Sequence, residues 1–121
     1  MLKVRIAAAA KADLKAIAAH SLQTFGDGAF HRYRALLFQA IQDLRADPYR
    51  LGSVDKPELS VRMYHLRHSR RRASVEGVPV LTPRHLLVYE VMEPGVIDIL
   101  RVLHDAMDAK RHVLGSAAEQ P

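Results

Sequence analysis

The sequence has no cysteine, and none of its apolar runs approaches the roughly 20 residues that are needed to cross a bilayer. The missing thiols exclude a disulfide framework and a thiolate-ligated metal site. The N-terminus leads into an alternating segment rather than into an apolar core with a cleavage site, so no secretory signal is expected. These absences indicate a soluble protein that fits the cytoplasm and has no membrane partner.

Recognisable catalytic machinery is also scarce. There is no glycine-rich phosphate loop, and no serine or threonine lies in a nucleophile motif. His65 and His68 are close in sequence, but a strand turns successive side chains to opposite faces and no acidic ligand accompanies them. Asp13, Asp43 and Asp47 fall on helix surfaces or helix ends, where solvated carboxylates are expected. No metal, cofactor or small-molecule substrate is therefore predicted.

Positive charge is in excess, with a formal net charge of +5 at pH 7. Such an excess is typical of proteins with an anionic partner, such as nucleic acid, a ribosome or an acidic protein. The cationic residues cluster in the C-terminal half of the chain. They are Arg67, Arg70, Arg71, Arg72, Arg84 and Arg101, with His65, His68, His85 and His104 nearby.

The segment from 83 to 108 is the central predicted element, a β-hairpin. Its two apolar runs, 86–92 and 96–103, are rich in the β-branched and aromatic residues that suit a sheet. Between them, Pro94 and Gly95 suit the second and third positions of a type II turn. The predicted register pairs Glu93 with Val96, and counting outward places His85 opposite His104 and Arg84 opposite Asp105.

This register gathers imidazoles and a guanidinium at one edge of the sheet. Such a group can bind phosphate and supply a general acid or base near neutral pH. Ordinary polar strand ends are an equally weighted alternative.

The N-terminal part predicts one strand and two helices. Residues 2–6 alternate between apolar and cationic side chains, as in a half-buried strand. Apolar stripes at helical spacing then continue to Phe25 and, after a short connection at Gly26 and Asp27, as far as residue 46. The two helices should form an antiparallel hairpin.

The remaining segments complete an α+β fold, with an N-terminal strand and a two-helix hairpin packed on a small, mainly antiparallel β-sheet. A surface loop is expected at 49–60, a strand at 61–66, a solvated basic turn at 68–72, a loop or short edge segment at 74–82 and a short helix at 105–114. Residues 1–114 are predicted to form a single domain, followed by a flexible tail at 115–121.

Two groups of side chains have alternative uses. Arg62, Arg67 and the arginines from 70 to 72 can neutralise phosphates, although a solvated loop is the favoured interpretation. Tyr64 and Tyr89 can stack on bases, but Tyr89 lies within an apolar strand and core packing is favoured for it.

Five segments, taken in this order, resemble the RelE/ParE superfamily of bacterial type II toxins. They are AKADLKAIA, FGDGAFHRYRALLFQAIQDL, VRMYHLRHSRRR, PRHLLVYEV and IDILRVLHDAMD, and the resemblance covers about residues 1 to 114. It implies that a cognate antitoxin binds and neutralises the protein. It also implies one of two targets, because RelE-like members cleave messenger RNA in the ribosome whereas ParE-like members poison DNA gyrase.

The resemblance is closer to the ParE branch. Many RNA-cleaving relatives carry an arginine immediately before the Leu-Val-Tyr of the penultimate strand, and here that position is Leu86. Arg84 precedes it by two residues and would face the same side, while His104 matches a histidine of some RNA-cleaving members. In the alternative RNase interpretation the catalytic residues would be Arg62, Arg84 and His104.

The resemblance and the basic cluster together predict a target-binding or anion-binding surface. Beside it, the exposed face and the edge of the sheet would accept a helix or a strand of an acidic antitoxin. A third alternative is a toxin-fold protein that has lost its toxicity and serves only as a complex partner. The predicted surface comprises Arg62, Arg67, Arg70, Arg71, Arg84, His85, Arg101, His104, Asp105, Met107 and Asp108.

Overall fold

A computed structural model describes residues 1–107 and 111–113 of the chain. The α+β class predicted from the sequence is confirmed, and two 3₁₀ helices, Pro57–Leu59 and Leu66–Arg72, flank the third strand. The regular elements are β1 (Lys3–Ile6), α1 (Ala8–Ala46), β2 (Val54–Lys56), β3 (Val61–His65), β4 (Ser74–Val75), β5 (Val78–Pro79), β6 (His85–Met92) and β7 (Val96–His104).

The main sheet has five strands in the order β1-β7-β6-β3-β2, and β4 and β5 form a separate two-stranded sheet. β1 is parallel to β7, and the other pairs of the main sheet are antiparallel. The prediction of a loop throughout 49–60 was wrong, because β2 pairs with β3 inside that segment. β2 has three residues, too few to produce a recognisable alternation.

The helical hairpin is built from α1, which is interrupted at Gly26. This glycine has φ 84° and ψ −178°, a conformation that residues with a Cβ rarely adopt. Leu14 and Ile17 from the first half and Leu37 and Ile41 from the second half line one apolar groove of about 330 Å³. The two halves therefore face each other, as predicted from the stripes on either side of Gly26.

The turn of the β6–β7 hairpin differs from the prediction by one residue. Met92, rather than Glu93, pairs with Val96, so a three-residue turn replaces the predicted two-residue type II turn, and its Glu93–Pro94 peptide bond is cis. A bulge at Leu100 then shifts the register back by one residue. The predicted pairing of the two histidines at the open end is consequently confirmed, because β6 and β7 place His85 opposite His104.

Both faces of the sheet are covered by apolar contacts. The helix-facing core includes Tyr64, Leu87 and Ile99, and the opposite face has its own buried cluster around Met63 and Leu103. Val113, in a helical segment at 111–113, packs into this second cluster and lies 8% exposed. The expectation of an exposed sheet face is thus corrected in part. The predicted tail at 115–121 lies outside the described residues. Of the predicted helix at 105–114, residues 105–107 are not helical, residues 111–113 are helical, and the other positions lie outside the described residues.

Asp43 is not a solvated carboxylate, contrary to the prediction. Its side chain lies between the buried helix positions Ala40 and Leu44, and the residue is only 3% exposed. A buried carboxylate is stable only when donors replace the water that it has lost. Four donors do so here: Gln39 Nε2 at 2.9 Å, Ser69 Oγ at 2.6 Å, an Arg50 nitrogen at 2.8 Å and an Arg72 nitrogen at 2.9 Å.

Replacing Asp43 with alanine is expected to lower the free energy of unfolding by about 3 kcal/mol or more, because two guanidinium groups and a hydroxyl would lose their acceptor. Urea unfolding followed by circular dichroism measures this loss. Asp55→Ala is the matched control, since the Asp55 side chain is 62% exposed and lies 3.9 Å from Arg62. The control should lose less than about 1 kcal/mol. Equal losses in the two variants would contradict the structural role of Asp43.

Candidate binding site at the open end of the hairpin

The open end of the β6–β7 hairpin gathers polar side chains from four parts of the chain. β6 begins there and β7 ends beside it. β3 ends next to β6, and α1 reaches the group through Tyr33. The predicted pairing of residues 84 and 105 is also confirmed, because the Asp105 amide donates to the Arg84 carbonyl at 2.8 Å. We call the group the histidine cluster; its members are Tyr33, His65, Arg84, His85, His104 and Asp105.

Asp105 is the anionic centre of the histidine cluster. His65 Nε2 lies 3.0 Å from one carboxylate oxygen and an Arg84 nitrogen lies 3.0 Å from the other. The backbone amide of Arg67 donates to His65 Nδ1, so the neutral ring carries its proton on Nε2 and donates it to Asp105. The hydrogen bond from His65 and the charge of Arg84 lower the pKa of Asp105 against the opposing effect of burial. His65 thus has the acidic partner that was not apparent in the sequence.

His85 is kept neutral by burial, and Tyr33 contacts its ring. The backbone amide of Arg84 donates to the Tyr33 hydroxyl oxygen at 3.2 Å, and the hydroxyl proton is then directed to His85 Nδ1. Burial, followed by the neighbouring His104, lowers the pKa of His85 from 6.5 to about 4, and burial raises the pKa of Tyr33. At neutral pH, His85 is therefore uncharged, with its proton on Nε2.

His104 has the same tautomer for a different reason. Its ring centroid lies 5.3 Å from that of His85 in an edge-to-face arrangement, and the Ala106 amide donates to its Nδ1 at 3.1 Å. Within the described residues, no hydrogen-bond partner occupies Nε2 of His85 or of His104. The pair consequently offers N–H donors to an acceptor, while both Nδ1 atoms, the positions that would take up a proton, are already engaged.

Arg62 lies apart from the histidine cluster. It pairs with Tyr89, which is four residues along β6 from His85, a separation of about 13 Å. Its Nε donates to Ser53 Oγ at 2.9 Å, and its guanidinium lies 4.9 Å from the centre of the Tyr49 ring. The three residues proposed for RNA cleavage therefore do not converge on one point.

Arg101 is engaged inside the fold, whereas the sequence predicted it on a binding surface. Two of its nitrogens donate to the Asp13 carboxylate at 2.8 and 3.0 Å, and a third donates to the His112 carbonyl at 3.3 Å. Asp13 also accepts the Val102 amide at 2.9 Å, so it is not the solvated carboxylate that was predicted. Helical periodicity could not reveal this contact, because the two residues are 88 positions apart in the sequence.

The remaining residues of the predicted binding surface differ in how far they are exposed. Arg67 and Arg71 are exposed on the 3₁₀ helix, Arg70 donates to the Leu81 carbonyl at 2.6 Å, and Met107 is exposed. Asp108 lies outside the described residues. Tyr64 and Tyr89 are fully buried in the core, so Tyr64 does not provide the stacking surface that was one of its two predicted uses.

The described residues contain neither a metal-binding cluster nor a membrane-spanning helix. Among residues 1–107 and 111–113, no three histidine, cysteine, aspartate or glutamate side chains are placed to hold a metal ion. No helix in the same ranges is long and apolar enough to cross a membrane.

The fold has a counterpart among solved structures. A solved structure described as the chromosomal ParDE TA system from P. aeruginosa matches with a TM-score of 0.62 and 16% sequence identity, covering 86% of this chain and 96% of that chain. At this identity the likeness establishes the fold. The family model described as the ParE toxin of the type II toxin–antitoxin system parDE matches residues 4–109. The chain therefore belongs to the ParE toxin family, which confirms the resemblance noted in the sequence. No curated protein matches it.

Acid is expected to destabilise the protein through His85. Between pH 6.5 and about 4 the unfolded chain binds a proton that the folded His85 does not, so the free energy of unfolding falls as the pH falls through this window. His85→Asn keeps an acceptor near the Tyr33 hydroxyl but cannot titrate. Its stability should depend less steeply on pH, by up to about 1.4 kcal/mol per pH unit.

Urea unfolding at several pH values between these limits measures both slopes. His31→Asn, at an exposed helix position, is the control and should follow the wild type. Parallel stability curves for wild type and His85→Asn would contradict the burial of a neutral imidazole at this position.

Proposed function

We propose that this ParE-family toxin inhibits DNA gyrase, and thereby replication, until its antitoxin neutralises it. The observation that carries the proposal is the family match over residues 4–109. In agreement with it, Leu86 stands where many RNA-cleaving relatives carry an arginine, and its side chain packs with the apolar cluster on the second face of the sheet. That position therefore supplies no cation to a scissile phosphate.

The hydrogen bonding of the histidine cluster supports a binding role rather than RNA cleavage. Cleavage of RNA needs a group that takes a proton from the ribose hydroxyl and cations that stabilise the pentacoordinate phosphate. Nδ1 of His104 already accepts the Ala106 amide, and Arg62 lies far along the sheet. An endoribonuclease is for these reasons not favoured.

The target surface that we propose is the exposed part of the histidine cluster with the residues next to it. The Arg84 side chain is 55% exposed, that of His104 is 37% exposed, and Met107 adds an apolar contact. Charged and donor groups around an apolar side chain are the usual composition of a protein interface. Asp105 keeps Arg84 in place at the centre of this surface.

The antitoxin is proposed to bind the helical hairpin. Phe38, which lines the apolar groove between the two halves of α1, is 64% exposed, and Phe25, next to Gly26 in the chain, is 67% exposed. An amphipathic helix of the antitoxin can place its apolar face in such a groove, and acidic residues on that helix would complement the net charge of +5. We further propose that residues 1–114 act as one toxin domain in the cytoplasm.

Induced expression in a sensitive bacterium tests the proposed target. DNA and protein synthesis are followed by pulse labelling in the same culture. Early loss of DNA synthesis with continuing translation is expected, and a supercoiling assay with purified gyrase should then show inhibition. Early loss of protein synthesis would contradict gyrase as the target, and normal growth would indicate a protein that has lost its toxicity.

Arg84→Ala is expected to raise the toxin concentration that gives half-maximal inhibition of supercoiling about tenfold, the effect of losing about 1.4 kcal/mol of binding free energy. Arg5→Ala is the matched control, because both residues are exposed arginines paired with an aspartate, Asp105 just after β7 for Arg84 and Asp98 on β7 for Arg5. Their side chains are 55% and 66% exposed. The control should inhibit like the wild type. An equal loss in both variants would show that net charge, rather than the histidine cluster, decides the inhibition.

A further inference from the structure

The most basic segment of the chain is the 3₁₀ helix Leu66–Arg72, which we call the arginine turn. Its sequence is LRHSRRR, with four arginines in seven residues and no acidic residue. Like charges held this close repel one another, so a free peptide of this sequence would remain extended and solvated. The fold must therefore supply the interactions that keep the turn compact.

Asp43 supplies these interactions from beneath the turn. It accepts hydrogen bonds from Ser69 and Arg72, the second through an ion pair with a distance of 2.9 Å. Tyr64 donates to Ser69 Oγ at 2.8 Å, which connects the turn to the core of the sheet. Arg70 donates to the Leu81 carbonyl, so one further arginine of the turn is engaged by the fold.

Two exposed arginines of the turn, Arg67 and Arg71, take no part in these interactions. Among the residues that the structure describes, no hydrogen bond or ion pair engages the side chain of Arg67 or Arg71. Both project from a backbone that the buried hub around Asp43 has already ordered. A ligand that binds them loses less conformational freedom than it would on a mobile loop.

We propose that the arginine turn binds the phosphate backbone of double-stranded DNA, independently of the contact with gyrase. Guanidinium groups bind phosphate oxygens through paired N–H donors, and such interactions supply most of the affinity of sequence-independent DNA binding. Regularly spaced phosphates on a rigid duplex suit two cationic side chains whose backbone positions are fixed on a compact turn. The turn would thus hold the protein on DNA of any sequence through phosphate contacts.

Two observations favour duplex DNA over other polyanions. Single-stranded nucleic acids are held largely by stacking on exposed aromatic rings. The turn has a single ring, that of His68, which is exposed but also contacts Gly52 and Tyr64, and Tyr64 itself is buried. The turn therefore has no series of exposed rings on which successive bases could stack. An acidic protein, in turn, would be expected at the exposed phenylalanines of the helical hairpin. Asp43, which holds the turn, is 17 residues from Gly26 at the hairpin tip, next to Phe25, or about 26 Å along the helix. Phe38 is five residues from Asp43, a rotation of about 140° around the helix, so its exposed side chain lies on a different side from the buried Asp43.

DNA binding by the purified chain tests this proposal without reference to gyrase. Fluorescence anisotropy follows a labelled duplex of about 20 base pairs at NaCl concentrations from about 50 to 200 mM. The double variant Arg67→Ala/Arg71→Ala should weaken binding uniformly on unrelated sequences. It should also reduce the slope of log Kd against log salt concentration by about 2, one for each phosphate that the variant no longer neutralises.

Lys11→Ala/Lys15→Ala is the matched control, because it removes the same charge from exposed positions on the first half of α1. The control should keep the wild-type salt slope, and thermal unfolding should show that both double variants are folded. Loss of binding in the arginine variant alone supports the site. An equal loss in both variants, or no binding of wild type at about 50 mM salt, would overturn it. Tighter binding of single-stranded RNA that depends on the same arginines would overturn the assignment to duplex DNA.

Discussion

The buried carboxylate of Asp43 is the interaction on which most of the polar architecture depends. A charge in this position would be strongly destabilising without compensation, so its four donors must come together when the chain folds. These donors belong to α1, to the loop that follows it and to the arginine turn. One side chain therefore joins the end of α1 and the loop after it to the arginine turn, where Ser69 is 26 positions away, and it orders a turn whose own positive charges repel one another.

A second carboxylate of α1 performs the same task at the other end of the element. Asp13 binds the guanidinium of Arg101 and the Val102 amide, and so holds the N-terminal half of α1 to β7. Together the two aspartates engage some of the arginines of the chain and leave others without an ion pair to them. Arg101 is engaged within the fold, whereas Arg67 and Arg71 are left exposed. The net charge of the chain is thus a poorer guide to its binding surfaces than the positions of two acidic residues.

This explains how far the sequence could predict the structure. Apolar periodicity indicates which face of an element is buried, and it predicted the helical hairpin around Gly26 and the two strands that bring His85 opposite His104. It contains no information on the partner of a polar side chain. Asp43 and Ser69 are 26 positions apart, and the contact of Asp13 with Arg101 spans still more of the chain. The sequence therefore predicted solvated carboxylates at Asp13 and Asp43, whose partners are apparent only in the folded structure.

The polar and apolar surfaces of the molecule are also separated in space. The exposed Phe25 lies at the tip of the helical hairpin, while the arginine turn is attached to the opposite end of its second half through Asp43. The histidine cluster occupies a third position, at the end of β6 and β7, where backbone amides and Tyr33 fix each ring with its proton on Nε2. Fixed tautomers make this cluster a set of oriented donors that needs no rearrangement when it meets an acceptor. Tyr33 lines the apolar groove and also contacts His85, so the groove and the histidine cluster share one residue of α1 and a helix seated in the groove would lie against the residue that orients the cluster.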